Sequence, residues 1–479
     1  MEEAVGIINS CSLRCVALSG EEVPVKISIN ENSGLVITEL PAKSSVEVRI
    51  PLEDILFVKK NSRGFQLASM TFPRKFVGHS CFCSPCGGTS SGKDRVLMEY
   101  RIKCTDPDES REEDAIDKFV KALNTCVFGY EEVQPRKTFV IINPESGQGT
   151  AVNEWNTRVK PLLEDSGKFE YIQDPQITTH KMHACKIGKD LSDRIFNQND
   201  DSLNFLVILG GDGVVFEVLN GIYFNYKSPS EYLQILKRIV LCPLPCGSGN
   251  GLCFSGLCLA NEPFTMNCAL RLLIRQKTQE KDLGLIDFEK DNDFDPNPPS
   301  RIFSLTISWG LVADVDINSE FLRRFFGEYR FSIYGFIKVI RKKTYEGSLS
   351  WRTPPTHEDY HQEIYPDYLT VYASLAPVAA RTVVLDPFKS MCDGTLLVHR
   401  LLGNEISRIA LVSALDELAL RRDHVKHIPG FDPIKTSSFE LVPSLDSSAV
   451  IVVDGERLTK GPVKVRVLPR ATHVLSSSS

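Results

Sequence analysis

Three short turns in this chain of 479 residues set glycine among small polar residues directly after apolar runs. Leu206-Val207-Ile208-Leu209-Gly210-Gly211-Asp212-Gly213 opens a helical pattern at 214–220, Pro245-Cys246-Gly247-Ser248-Gly249-Asn250-Gly251 follows the run 239–243, and Asn143-Pro144-Glu145-Ser146-Gly147-Gln148-Gly149 follows 139–142. Glycine removes the Cβ that would keep backbone away from a polyphosphate, and the free N–H groups at a helix start favour anionic oxygens. One such turn is an ordinary strand-to-helix connection. Three at strand ends of one region argue for a nucleotide site, because open α/β sheets hold ligands beyond the carboxyl ends of their strands. None carries a Lys ahead of a hydroxyl as G-x-x-x-x-G-K-[ST] requires, which disfavours a P-loop GTPase or ATPase. Asp212, the carboxylate among these glycines, could act as a base toward a hydroxyl or hold Mg²⁺ through water, and spacing does not separate the two. Asp454-Gly455-Glu456 taken alone reads as a hairpin turn.

The elements that must position these residues can be read from hydrophobic period. Residues 137–290 alternate apolar strands (138–142, 169–172, 203–209, 239–243) with helical patterns (151–163, 179–196, 214–222, 263–275), the signature of an α/β nucleotide-binding domain. Ahead of it, short β-type runs between 25 and 102 precede a capping-box pattern, Ser110 with Glu113, and an apolar stripe at Ala115, Ile116, Phe119, Val120 and Leu123. The expectation for 1–130 is a β-rich module closed by one amphipathic helix, an order similar to a pleckstrin-homology-like domain. An acidic, Pro-rich stretch at 289–300 reads as a surface loop. Beyond it, 301–475 returns to β-type runs such as 303–308, 369–374, 395–398, 439–442 and 450–453, which predicts an antiparallel β-sandwich-like domain, with one helical stretch at 320–338. The polar insertion 353–367 and the Ser-rich tail after Val474 are expected to be mobile.

Composition narrows the classes. A hydrophobic fraction of 42% with 24% charged residues is globular, and a net charge of −6 lacks the basic excess of a nucleic-acid binder. The acidic start Met1-Glu2-Glu3 is unlike a secretory signal, and the uncharged stretch 239–261 is broken by prolines and glycines, so no spanning helix is expected. Fourteen irregularly spaced cysteines then read as reduced thiols in an intracellular, cytoplasmic protein. Cys81, Cys83 and Cys86, and His180, His183 and Cys185, are close enough for a metal, but the first set has no evident fourth ligand and the second reads as a helix surface.

Together the motifs resemble the diacylglycerol-kinase-type catalytic family, in particular its sphingoid-base (sphingosine) kinases. The resemblance rests on Asn143-Pro144, Gly210-Gly211-Asp212-Gly213, Glu217 with Asn220-Gly221, Gly247-Ser248-Gly249-Asn250, Trp309 to Asp316 with Ser319-Glu320, Gly327 to Phe331, and Val453 to Glu456, in order over about 137–475. It implies an enzyme that uses ATP and Mg²⁺, with Asp212 as the base for a primary hydroxyl. It implies nucleotide contacts at Asn143, Ser146, Gly147, Thr178, Gly210, Gly211, Gly213, Glu217, Gly247, Ser248, Gly249, Asn250, Arg323, Arg330, Asp454, Gly455 and Glu456. Asp454 would also lie near the metal.

The same resemblance makes Asp316, with Asp314 nearby, the grip on the amino and hydroxyl groups of a sphingoid base, an ammonium partner that diacylglycerol would not need; as a plain pattern both aspartates could cap a helix. Arg323-Arg324-Phe325-Phe326-Gly327 runs one residue longer than the family pattern, so either arginine could meet phosphate. The run of large apolar residues from Phe325 to Ile340 is either an acyl tunnel or core. The implied protein is a cytosolic lipid kinase that docks reversibly on a membrane surface. Ceramide or diacylglycerol as acceptor, or a catalytically dead lipid-binding adaptor, are the alternatives.

Overall fold

The computed structural model describes residues 13–16, 22–30, 34–39, 47–61, 64–71, 84–85, 95–104, 109–130, 134–198, 200–226, 228–289, 298–318, 343–352, 360–381, 383–410, 433–444 and 449–476. They form two compact units. The first gathers Met1–Arg136, Asn156–Glu170 and Thr265–Lys277, and the second gathers Lys137–Trp155, Tyr171–Phe264 and Thr278–Ser479. No helix among the described residues is long and apolar enough to cross a membrane.

In the first unit an antiparallel sheet runs in the order Glu47–Ile50, Gly34–Glu39, Glu22–Asn30, Leu13–Val16, Val96–Cys104, Gly64–Thr71, Ile55–Asn61. The helix Glu109–Phe128 lays Ile116, Phe119, Leu123 and Val127 against it, with the rings of Phe65 and Phe119 stacked at 4.8 Å. Ser110 lies inside this helix and is not its cap, since the helix already begins at Glu109. The sheet and helix share a core with Asn156–Glu170 and Thr265–Lys277 through cations that reach main-chain oxygens. Arg275 donates to the carbonyls of Leu52 and Ile55 at 3.1 and 2.8 Å, Arg271 donates to that of Glu53 at 2.8 Å, and Arg95 pairs with the buried carboxylate of Asp54 at 2.7 Å.

Lys168 goes furthest: only 1% exposed, it donates to the carbonyls of Leu56 (2.9 Å) and Ile274 (3.2 Å), and its ammonium lies 3.7 Å from the centre of the Phe128 ring. Burial, reinforced by neighbouring Arg275, pushes its pKa down to about 7. The folded protein therefore binds fewer protons at this site than the unfolded chain between about 7 and the ordinary lysine value, and stability should rise with pH across that window. Thermal midpoints of the wild type should climb between pH 7 and pH 9, and Lys168→Met should flatten the climb; parallel curves would mean that Lys168 is charged throughout.

The second unit is built on parallel strands. Arg136–Ile142, Asn204–Gly210 and Ile239–Pro245 pair in parallel register, Leu206 opposite Phe139 and Leu241. Their central residues, 139–142, 205–209 and 239–242, are apolar because both faces are buried, as parallel sheets require. Helices His183–Phe196 and Asp212–Asn225 cover one face through Ile187, Leu191, Ile195, Val215, Leu219 and Ile222. They cross with main chains nearly touching, since a Cβ on Gly221 would stand 2.0 Å from the Cys185 carbonyl oxygen and one on Gly188 2.4 Å from that of Val218. This crossing sets the first turns of His183–Phe196 against the middle of Asp212–Asn225.

The β-rich remainder continues the same sheet. Val463–Leu475 pairs antiparallel with Thr278–Phe288 along most of its length, and its last residues run parallel to Ile239–Pro245, His473 opposite Val240. The protein thus has a mixed sheet with helices and many further strands toward its carboxyl end. Several expectations need correction. The run 303–308 is two strands, Ser300–Phe303 and Thr306–Gly310, interrupted where Asp454 takes the main-chain N–H groups of 304–306. Residues 360–367 of the supposed mobile insertion are strand, the first part of Tyr360–Ser374, paired with Tyr345–Arg352. Ser476 of the tail is buried, its hydroxyl donating to the Gly256 carbonyl at 3.3 Å. The helical stretch 320–338 and the apolar run to Ile340 lie outside the described residues, as do Cys81, Cys83 and Cys86.

Candidate active site

Four loops leave the carboxyl ends of parallel strands side by side: those after Ile142, Ile177, Gly210 and Pro245. The amide of Asn143 donates to the Leu209 carbonyl at 3.0 Å and that of Thr178 to the Ile142 carbonyl at 2.9 Å, so each loop starts while still tied to the sheet. The Asn143 side chain accepts from the Glu145 amide at 3.0 Å and shapes the turn that carries buried Ser146 and Gly147. Gly147 has φ +58°, and a Cβ there would lie 2.4 Å from the Cys246 carbonyl oxygen; a Cβ on Gly247 would lie 2.3 Å from Cα of Gly211. The three glycine turns are therefore in contact with one another, as the sequence reading requires. Asn250, at φ +57°, spends its amide on its own loop, accepting from the Gly247 amide at 2.8 Å and donating to the Gly247 carbonyl at 2.6 Å. It builds the loop, where a contact to nucleotide had been expected.

Asp212 is the first residue of its helix, and its carboxylate reaches into the next loop. One oxygen accepts from the Gly251 amide at 2.8 Å and the other from the Leu252 amide at 3.1 Å. Burial raises its pKa to about 6, and the charge of Asp454 adds to the rise, while those amide donors oppose it. That lies above the ordinary carboxylate range and suits a base near neutral pH.

Asp454 and Gly455, at φ +47° and +83°, form the two-residue turn of a hairpin between Ile451–Val453 and Glu456–Thr459. The hairpin expected from the plain pattern is present. The Asp454 carboxylate accepts from the amides of Ser304 (2.7 Å), Leu305 (2.9 Å) and Thr306 (2.8 Å) and the Ser304 hydroxyl (3.1 Å). Those four donors fill the acceptor positions of a carboxylate, which makes Asp454 a clasp and leaves no lone pair for a cation. Glu456 is differently placed. One of its oxygens lies 3.5 Å from where a Gly213 Cβ would stand, and the other pairs with Lys181 at 3.1 Å. Glu217 also works on the main chain, accepting from the amides of Met182 (3.0 Å) and Ala184 (3.1 Å) at the start of the helix His183–Phe196. It positions the 178–183 loop, where the sequence reading had it touching nucleotide. In that loop His180 and His183 stack at 4.8 Å, each bonded to Thr179.

Asp314 and Asp316 share the helix Leu311–Asn318, which follows the strand Thr306–Gly310 beside the 451–459 hairpin. Asp314 accepts a 2.7 Å hydrogen bond from the Tyr345 hydroxyl, and burial together with this carboxylate raises the Tyr345 pKa. Asp316 is placed on the helix only. Arg323 and Arg330 lie outside the described residues. Ser248 and Gly249 sit on the loop facing Asp212, a Cβ on Gly249 falling 3.0 Å from its carboxylate. Two site residues escaped the sequence reading, Lys181 and Tyr345. Each lies far along the chain from its partner, and nothing in local spacing marks either one.

A family model described as the diacylglycerol kinase catalytic domain matches residues 137–286. A solved structure from Bacillus anthracis assigned as a diacylglycerol kinase superposes with a TM-score of 0.50 at 16% identity, covering 72% of this chain and 99% of that one, a likeness of fold alone. Residues 137–286 thus match a diacylglycerol-kinase-type catalytic domain. Sphingosine kinase 1 of Arabidopsis thaliana is 27% identical over 68% of this chain and 70% of its own length, and human sphingosine kinase 1 is 26% identical over 70% and 90%. Sphingosine kinase 1 of Caenorhabditis elegans is 33% identical over 44% of this chain and 42% of its own length. Within that class the chain is similar to sphingosine kinases of plant, nematode and human origin.

Proposed function

We infer that the protein is a lipid kinase that transfers the γ-phosphate of ATP to the primary hydroxyl of a sphingoid base. The observation that carries this reading is the meeting of three glycine turns around one carboxylate, Asp212, whose pKa is raised into the working range of a general base. Phosphoryl transfer asks the protein for position and charge more than for covalent chemistry. The glycine turns offer main-chain N–H groups to the phosphates, with Asn143, Ser146, Thr178 and Ser248 at their rims. Asp212 takes the hydroxyl proton of the acceptor. Mg²⁺, where present, would neutralise phosphate charge. Glu456 is the carboxylate that would hold it, in the sparse manner usual for this ion. Arg323 and Arg330 are proposed as phosphate contacts.

Asp314 and Asp316 are the proposed partners of the substrate ammonium. Asp314→Asn should raise KM for sphingosine about 10- to 100-fold, the size of a lost hydrogen bond to a charged group at ~1.5–3 kcal/mol, and leave KM for ATP unchanged. The module of 1–130 is proposed to be pleckstrin-homology-like and to serve reversible docking on a membrane from the cytoplasm; its antiparallel sheet closed by one helix supports that. The strands beyond 301 are proposed to form a sandwich-like lipid domain. The test of the whole reading is transfer from radiolabelled ATP to sphingosine, ceramide and diacylglycerol in parallel. Label in sphingosine is the expected outcome. Label in ceramide or diacylglycerol alone would move the substrate, and label in none would leave a lipid-binding adaptor.

A further inference from the structure

We propose that Lys281 is a positioning residue for phosphoryl transfer: its buried ammonium is the internal counter-charge of the Asp454 and Asp212 carboxylates, and it keeps Asp212 ionised in the working range. The proposal rests on the kinase reading above and assigns a role to a residue outside the motifs read from the sequence.

Lys281 is wholly buried, and among the described residues its ammonium has no hydrogen-bond partner. It stands in the strand Thr278–Phe288 opposite Thr472, where the pairing with Val463–Leu475 shifts register before Leu283. The main chain at this irregularity is pinned. The Asp282 amide donates to the Met391 carbonyl at 2.6 Å, and the Asp282 carboxylate accepts from the amides of Gly394 (2.6 Å) and Arg470 (2.8 Å). The other buried cation of the cluster is satisfied, since Lys389 donates to the Ser390 carbonyl and to the Asp393 carboxylate, both at 2.6 Å. Lys281 alone of the two is left unbonded. An ammonium shut away from water without a bond is costly, and only the field of nearby anions can offset that cost.

Those anions include the carboxylates of the site. Leu283, Met391 and Leu305 pack in one buried cluster, and Leu305 supplies one of the amides that Asp454 clasps. Burial lowers the pKa of Lys281 to about 8; the charges of Asp282 and Asp454 resist the fall, that of Lys389 adds to it, and Cys392 also faces the ammonium. Lys281 is therefore charged at neutral pH. Asp454 acts on Asp212 as well, adding to the rise in pKa that burial causes there. The other charged groups beside Asp212 are Glu456, near Gly213, and Glu217, and the cation that pairs with Glu456, Lys181, is 77% exposed. Four donors fix Asp454 as the anion. Lys281 offsets this fixed negative charge from inside the protein, where solvent screens little. Without it Asp212 would face Asp454 uncompensated and hold its proton more tightly.

The test is the pH dependence of kcat/KM for sphingosine in the full chain, wild type against Lys281→Met and Lys281→Gln, with thermal midpoints recorded at pH 7. Both substitutions remove the charge and keep most of the volume. In each the acid limb, at about 6 in wild type, should move up by about one unit, so that transfer at pH 6 falls about fivefold and transfer at pH 9 is unchanged. The midpoint of Lys281→Met should match or exceed that of wild type, because an apolar chain replaces an unbonded buried charge. A packing defect would instead lower kcat/KM at every pH and leave the limb in place. A limb that stays at about 6 in a folded variant, or failure of both variants to fold, overturns the proposal while the kinase reading stands. A wild type that transfers phosphate to no lipid overturns both.

Discussion

Asp212→Asn should lower the rate of phosphoryl transfer to sphingosine by about 10²- to 10⁴-fold, the range expected when a positioned general base is removed. The same residue should set the acid limb of the pH profile. Its carboxylate must be ionised to accept the hydroxyl proton, and its pKa lies at about 6, so kcat/KM of the wild type should fall tenfold per unit below that value. Stability runs the other way. The folded-state pKa is raised above the unfolded one, so the stabilisation linked to this group is fully present below the ordinary aspartate value and is lost as pH rises through about 6. The neutral asparagine avoids that loss but keeps a single acceptor for the amides of Gly251 and Leu252. Its thermal midpoint at pH 7 should therefore stay within a few degrees of wild type. Transfer surviving in the variant, or an acid limb persisting in its residual rate, would remove Asp212 from proton transfer.

The sequence was most legible where local pattern and final environment coincide. Strands Arg136–Ile142, Asn204–Gly210 and Ile239–Pro245 carry buried apolar runs at 139–142, 205–209 and 239–242, and their glycine turns declare themselves by composition. Legibility failed where an element has no amphipathic face. Gly251–Leu259 is a helix buried nearly all round and interrupted by Gly256, which a Cβ would drive to 2.1 Å from the Leu475 carbonyl oxygen; by pattern it read as loop-bearing. It failed again for contacts made across long stretches of chain. That Thr278–Phe288 joins the last strand of the protein cannot be inferred from either segment.

The site divides along the same line. The family resemblance singled out Asp212, Asp454, Glu217 and Asn250, and in the structure the last three hold main chain. Asp454 clasps 304–306, Glu217 fixes 182–184 and Asn250 closes its own turn. A motif records that a residue type is required at a position. Whether the requirement is a ligand or a loop depends on which N–H groups the fold brings within reach.

That distinction yields the second large effect, at two glycines which the motifs treat alike. Gly247→Ala should lower kcat/KM for ATP by at least about 10²-fold, because its Cβ would stand 2.3 Å from Cα and 2.8 Å from the amide nitrogen of Gly211. Both obstacles are main-chain atoms of Gly211, directly after the buried strand Asn204–Gly210, so neither can swing aside as a side chain would. Displacement of the turns by about 1 Å misplaces the reacting groups by an amount that costs a factor of this size. Overpacking of the same contact should also destabilise the fold by about 1–3 kcal/mol. Gly213→Ala is the contrast. Its Cβ would meet a Glu456 carboxylate oxygen at 3.5 Å, an ordinary contact, and the residue is already helical. Its thermal midpoint should match wild type, so any loss of ATP binding there would report the nucleotide and not the scaffold. Measured side by side, calorimetric midpoints and ATP titrations of the two variants separate the glycine that lets two loops touch from the one that lets a phosphate approach. Equal midpoints for both would mean that the turns at 211 and 247 are not packed against each other.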